Sequence, residues 1–313
     1  MKANSALRFW AIVRYEILWN IRKKKVLGMV LFALAFSIIP LALTSTLIGI
    51  VGQTLTKNPD YVVSSGGIGG LIMFLFGMVA VMNSISGEFE SGTIVPLLTK
   101  PVSRTMVFLG KVSAAILTLI PVYILLYVIQ IVGGIIVYGP QNNLYLASLS
   151  FLGNIISTLV WMAIVLAIGS VTKSSLFAAL GPFVIYIAIS ISAGIIAVFS
   201  GQAWVLTYIP GGGSTGYVAS TTNASLSLST TSMSTGTDGI AAALVRYVLH
   251  PSYYVLFAKI SGIGSSVTAT TLTVTSTEPL LEVLLTAIGV AFAYIIAFLL
   301  IAWFAFRRAQ ISE

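Results

Sequence analysis

Apolar residues run through this chain in long unbroken blocks, and polar residues gather between the blocks. Six stretches free of charge stand out: Val26 to Val51, Gly66 to Gly87, Val112 to Tyr138, Leu144 to Thr172, Ser174 to Phe199 and Val283 to Phe306. A helix rising 1.5 Å per residue needs about 20 residues to cross a hydrocarbon core of roughly 30 Å. Each block is long enough. Continuous blocks favour helices over a barrel, whose strands would alternate, because a helix satisfies its own backbone hydrogen bonds in lipid. The expectation is an all-α integral membrane protein with six transmembrane helices in one domain. It divides into a cytoplasmic or interfacial start at 1–25, helices one to five at 26–199, an extracytoplasmic segment at 200–282, helix six at 283–306 and a cytoplasmic tail at 307–313.

Composition agrees, since 58% of the residues are hydrophobic and only 24 of 313 are charged, 16 basic and 8 acidic. The mean hydropathy of +1.03 lies outside the range of soluble domains. Basic residues stay preferentially on the cytoplasmic side. With both termini inside, that side holds Lys2, Arg8, Arg14, Arg22, Lys23, Lys24, Lys25, Lys100, Arg104, Lys111, Lys173, Arg307 and Arg308, and only Lys57, Arg246 and Lys259 lie outside. The chain therefore reads as a multi-pass protein of the plasma membrane. The net charge of +8 reflects topology and contact with anionic membrane lipid, which makes nucleic acid an unnecessary partner. No cleavable signal peptide is expected, because the first apolar run is too long for one and follows a mixed segment. Zero cysteines and the single His250 exclude disulfides, thiolate metal sites and multi-histidine metal sites.

Ahead of the first block, Trp10, Val13, Ile17 and Ile21 recur at helical spacing, with Arg8, Glu16, Asn20 and Lys23 mostly opposite. That pattern predicts an interfacial helix over Ser5 to Arg22, serving as a bland anchor or as a functional elbow. Pro40, Pro121 and Pro182 fall inside spans and permit kinks. The run Gly66-Gly67-Ile68-Gly69-Gly70 allows close helix packing. Beyond the fifth block, Pro210 to Gly239 is rich in Ser, Thr and Gly and reads as a loosely ordered excursion. It contains the sequon Asn223-Ala224-Ser225, which makes Asn223 a candidate glycosylation site. Ile240 to Ile260 is apolar but interrupted by Arg246, His250 and Pro251, so a re-entrant or interfacial helix is expected there instead of a seventh crossing. Ser266 to Thr277 is either a short strand pair or extended loop.

A phosphate loop of the form G-x-x-x-x-G-K-[ST] does not occur; the nearest miss is Gly169 to Ser174. The chain therefore cannot hydrolyse ATP alone. Of the acids, Glu16, Glu88, Glu90 and Glu313 fall on the cytoplasmic side and Asp60, Asp238, Glu278 and Glu282 on the other. With no carboxylate pair deep in a span, neither intramembrane catalysis nor ion-coupled transport is expected. Gln130 and Asn154 are the candidate translocation-path residues, with interhelical hydrogen bonding as their alternative role.

Between the second and third blocks runs Gly87-Glu88-Phe89-Glu90-Ser91-Gly92-Thr93, followed by Leu97-Leu98, Pro101-Val102-Ser103-Arg104 and Gly110-Lys111. Acids near the start of a short helix favour its positive end, and an apolar Leu97-Leu98 pair in a cytoplasmic loop asks for a covering partner. These residues resemble the permease subunits of type-2 ABC transporters. The likeness also covers layout, with an N-terminal helix, six spans and a long external segment before the last. The resemblance implies that Glu88, Glu90, Gly92, Thr93, Leu97, Leu98, Pro101 and Arg104 form a coupling element seated on a separate ABC ATPase subunit. It implies a second permease copy or a homologous permease as partner, with ATP and Mg bound by the ATPase and no cofactor on this chain. The expected function is an ATP-driven exporter permease. A channel or ATP-independent carrier, or a membrane scaffold or sensor, is the alternative.

Overall fold

The computed structural model describes residues 5–50, 56–64, 69–93, 102–199, 203–211, 215–222, 225–261 and 271–308. Among them, six helical stretches are long and apolar enough to cross a membrane. A helix α1 (Ser5–Arg22) precedes the first crossing, α2 (Lys25–Ile50). After the single turn α3 (Tyr61–Ser64), the second crossing is broken into α4 (Gly70–Val81) and α5 (Ser86–Glu90). The remaining crossings are α6 (Arg104–Tyr138), α7 (Ala147–Thr172), α8 (Ser175–Phe199) and, at the end of the chain, α10 (Leu280–Arg308). The all-α membrane bundle read from the apolar blocks is what the chain forms. Pro40, Pro121 and Pro182 lie inside α2, α6 and α8. Large apolar side chains such as Ile136, Phe177 and Val184 face outward, at 77%, 60% and 62% exposure. Only hydrocarbon tolerates so extensive an apolar exterior.

The core is organised around α7, which packs against α4, α6, α8 and α10. From Val160 to Ala167 every residue is buried, the mark of a helix surrounded on all sides. A Cβ on Gly77 of α4 would stand 3.0 Å from backbone atoms of Thr158 and Met162, so these two helices meet nearly backbone to backbone.

Three expectations need correction. The third crossing begins at Arg104, not Val112, because Ser103 caps the helix by accepting the Met106 N–H at 3.2 Å and because the charge of Lys111 is neutralised inside the bundle. The face of α1 is also rotated: Val13, Glu16 and Asn20 are buried, while Trp10 and Ile21 point out. Trp and Ile cost nothing toward lipid, whereas Glu16 has a partner in the interior. Lastly, the excursion from Pro210 to Gly239 is largely ordered. Strands β1 (Thr215–Thr222) and β2 (Ser225–Ser234) form an antiparallel hairpin.

That hairpin belongs to a four-stranded antiparallel sheet of order β2-β1-β3-β4, completed by β3 (Tyr254–Ser261) and β4 (Thr271–Pro279). Of the alternatives for Ser266 to Thr277, the part from Thr271 is strand. The helix expected over Ile240 to Ile260 is α9 (Ile240–Leu249), after which the chain turns at His250 and enters β3. Pro251 removes a helical donor, and the β-branched and aromatic run Tyr253-Tyr254-Val255-Leu256-Phe257 suits a strand. Asn223 lies outside the described residues. Val218, Val255 and Phe257 of the sheet, Ala243 of α9 and Leu280, Val283 and Leu284 of α10 share one small core. This unit sits on α7, with Ser157 Oγ donating to the Thr237 carbonyl at 2.5 Å.

At that junction a Cβ on Gly153 of α7 would fall 2.5 Å from Ala241 Cα, whereas one on Gly289 of α10 would meet nothing within 4 Å. Gly153→Val is expected to destabilise the protein by about 1–3 kcal/mol through overpacking. Gly289→Val should change thermal stability in detergent by much less. Equal melting temperatures for the two variants would contradict this packing.

Candidate functional site: a buried charge cluster at the loop end of the bundle

The end of the bundle that carries the loop after α5 holds an ammonium between two carboxylates. Lys111, two turns into α6, donates from Nζ to Glu16 Oε2 of α1 at 3.0 Å and to Glu88 Oε1 of α5 at 2.7 Å. The side chains of Lys111, Glu16 and Glu88 are 2%, 6% and 21% exposed. Such burial is tolerated only because each charge has an opposite neighbour.

Geometry upstream of Glu88 makes the contact possible. α4 stops at Val81, and Asn83 adopts φ 62°, a left-handed conformation that Asn accepts more readily than most residues. The Met82 carbonyl at this break accepts from Lys25 Nζ at 2.6 Å. α5 then starts afresh, and Gly87 lies against Asn83, where a Cβ would stand at 3.0 Å. Glu90 closes the same short helix by accepting the Ser175 N–H at 3.1 Å. Its carboxylate therefore serves the positive end of α8, not that of its own helix as the sequence suggested. Phe89 packs edge-on against Phe306 of α10 at 6.2 Å, and Lys173 stands over its ring at 5.6 Å.

Beyond α5 the chain reaches the surface. Ser91, Gly92 and Thr93 are exposed, Gly92 has φ 69° and the Ser91 and Thr93 hydroxyls bond at 2.9 Å. Arg104 is half-buried and donates from Nη1 to the Arg307 carbonyl at 2.8 Å. Leu97, Leu98 and Pro101 lie outside the described residues. The structure thus brings Glu88 and Glu90 onto one helix, leaves Gly92 and Thr93 free on the surface, and ties Arg104 to the last helix.

Residues 10–311 match the family described as ABC-2 family transporter protein. The chain belongs to that family. It is the membrane permease subunit of an ABC transporter, a different polypeptide from the ATPase, and the family as a whole works with ABC ATPase subunits. No curated protein gives a significant match.

Within the permease, Glu16 and Lys111 were not singled out as site residues by sequence. One signal was available: Lys111 abuts an apolar run with no acid within a turn, so a buried position would demand a distant counter-charge. Gln130 and Asn154 are not equivalent. Asn154 is fully buried in a ladder between α6 and α7, donating to the Tyr127 hydroxyl at 2.5 Å, while its carbonyl accepts from Thr158. Gln130 Oε1 is buried without a hydrogen-bond partner among the described residues.

At the opposite end, Asp238 is the second polar feature that sequence reading passed over. Its carboxylate lies against the first turn of α4, so close that a Cβ on Gly70 would be 2.2 Å from Oδ2. Phe74, Trp161 and Tyr186 form a ring trio nearby, with centroids 4.8–5.2 Å apart. Burial pushes the Asp238 carboxyl up to about 6, with Trp161 and the Thr237 hydroxyl pulling the other way.

Two outcomes follow. Lys111→Met leaves two carboxylates without their cation and is expected to cost about 3–5 kcal/mol, whereas the triple change Lys111→Met, Glu16→Gln, Glu88→Gln should recover most of that; thermal melting in detergent reads both. For Asp238, a carboxyl raised in the folded state binds its proton more tightly there, so stability falls as pH rises from about 3.8 to about 6 and stays lower above it. Asp238→Asn should flatten that slope and raise stability at pH 7 by about 1–2 kcal/mol. A parent and variant with parallel pH profiles would refute the assignment.

Proposed function

We propose that the permease is driven mechanically by a separate ABC ATPase, which grips the loop from Gly87 to Arg104 on the cytoplasmic side and works as an exporter. The observation that carries this reading is the double engagement of α5. Through Glu88 it holds α6 and α1, and through Glu90 it holds the start of α8. A displacement applied to the exposed Gly92-Thr93 turn is therefore delivered to three helices at once. Leu97, Leu98 and Pro101 contribute the apolar contact in this reading, and Arg104 fixes the return strand of the loop to α10.

ATP and Mg belong to the ATPase, and this chain binds neither. Two permease copies, identical or homologous, face each other around the path. Closure of the ATPase pair shifts the population from inward-facing to outward-facing through its differential affinity for ATP. Asn154 acts as an interhelical tie, which leaves Gln130 as the path candidate. Both termini are cytoplasmic, the membrane is the plasma membrane, and the sheet lies outside the cell. The charge distribution supports that orientation, because 13 of the 16 basic residues fall at the loop end.

The cysteine-free sequence provides a clean background for testing both parts. Lys57→Cys should react with an impermeant maleimide on intact cells, and Thr93→Cys only after permeabilisation; the reverse pattern inverts the topology. Leu98→Asp and Thr93→Arg should leave membrane insertion unchanged and abolish co-purification with the ATPase subunit or its coupling to transport. Normal export by both variants would remove the loop from the drive.

A further inference from the structure

Beside the charge cluster lies a cavity of about 840 Å³ walled by α1, α5 and the starts of α2 and α6. The mechanical reading gives it no task. Its wall carries Arg8, Lys23, Lys25 and Lys111 against Glu16 and Glu88. Both carboxylates are committed to Lys111, and Lys25 is committed to the Met82 carbonyl.

The imbalance is wider than the cavity. At this end the described residues Arg8, Arg14, Arg22, Lys23, Lys24, Lys25, Arg104, Lys111, Lys173, Arg307 and Arg308 face only Glu16, Glu88 and Glu90. Eleven cations against three acids leave a surplus that the chain's own carboxylates do not neutralise. An anion from outside the chain is the complement.

Depth in the membrane decides which anion. Leu7, Trp10, Leu18 and Ile21 form an exposed apolar stripe along α1, and a helix with such a stripe sinks that face into the acyl boundary. The neighbouring stripe bears Arg8, Tyr15 and Trp19, with Lys23 Nζ 4.9 Å above the Trp19 ring. Tyr and Trp settle at headgroup level, which brings Arg8 and Lys23 to the depth of lipid phosphates. Basic pockets between membrane helices on this side suit anionic headgroups. We propose that this cavity seats the headgroup of one anionic phospholipid, with Arg8 and Lys23 on its phosphate. The inference stands apart from the ATPase drive, since it needs neither the loop beyond Thr93 nor a second subunit.

The full-length permease in phosphatidylcholine nanodiscs, titrated with phosphatidylglycerol, tests it by native mass spectrometry and thermal shift. The expected result is about one firmly retained phosphatidylglycerol per chain. Affinity should fall roughly 10- to 30-fold in the double variant Arg8→Gln, Lys23→Gln, with most of it kept in Arg8→Lys. The control Arg307→Gln, Arg308→Gln removes equal charge from the same end and should change little. An equal loss in both double variants would reduce the effect to diffuse surface charge and overturn the proposal. So would competition by inorganic phosphate alone, which marks a soluble-phosphate site. Unchanged lipid retention with weakened binding of the ATPase subunit would make the cavity a protein-docking site, and the lipid assignment would fail.

Discussion

An ammonium cannot remain in the interior of a membrane bundle without a counter-charge, and the burial of Lys111 imposes that condition on everything around it. Two carboxylates from different parts of the chain meet it. Glu16 reaches it only if α1 lies along α6 with its polar face inward. Glu88 reaches it only if the second crossing breaks after Val81 and restarts at Ser86. The rotation of the first helix, the kink of the second crossing and the early start of the third are thus one solution to one electrostatic problem.

The crossings were legible in the sequence because lipid imposes a crude rule: a long uncharged apolar block has few alternatives to a spanning helix. The same rule misplaced the third helix. An edge drawn at the last charge assumes that a charge marks the membrane surface, and Lys111 does not obey, being paired inside. Face prediction for α1 failed for the same reason. Apolar stripes point inward in water, but beside lipid Trp10 and Ile21 can point out while Glu16 turns in.

The loop motif was readable as a unit, yet its internal roles were not. Glu88 and Glu90 look alike in sequence, two residues apart, and the structure sends one to a lysine side chain and the other to a backbone N–H of α8. Spacing alone cannot separate those fates, since both partners are distant in the chain. The sheet was hidden for a different reason. Ser- and Thr-rich composition is shared by linkers and by strands, and the pairing of β1 with β3 joins segments separated by α9. Only long-range contact distinguishes the two cases.

The seam between α7 and the sheet unit has a mechanical corollary. Gly153 lets the backbone at Ala241 approach α7 directly, and the Ser157 hydroxyl closes on the Thr237 carbonyl in the same place. No long side chain stands between the two parts to act as a cushion. Because α7 is also the most enclosed crossing, it has little room to tilt by itself. Any widening of the bundle at that face must swing the sheet as a lever fixed to α7, so a clamp on the sheet would arrest the crossings beneath it.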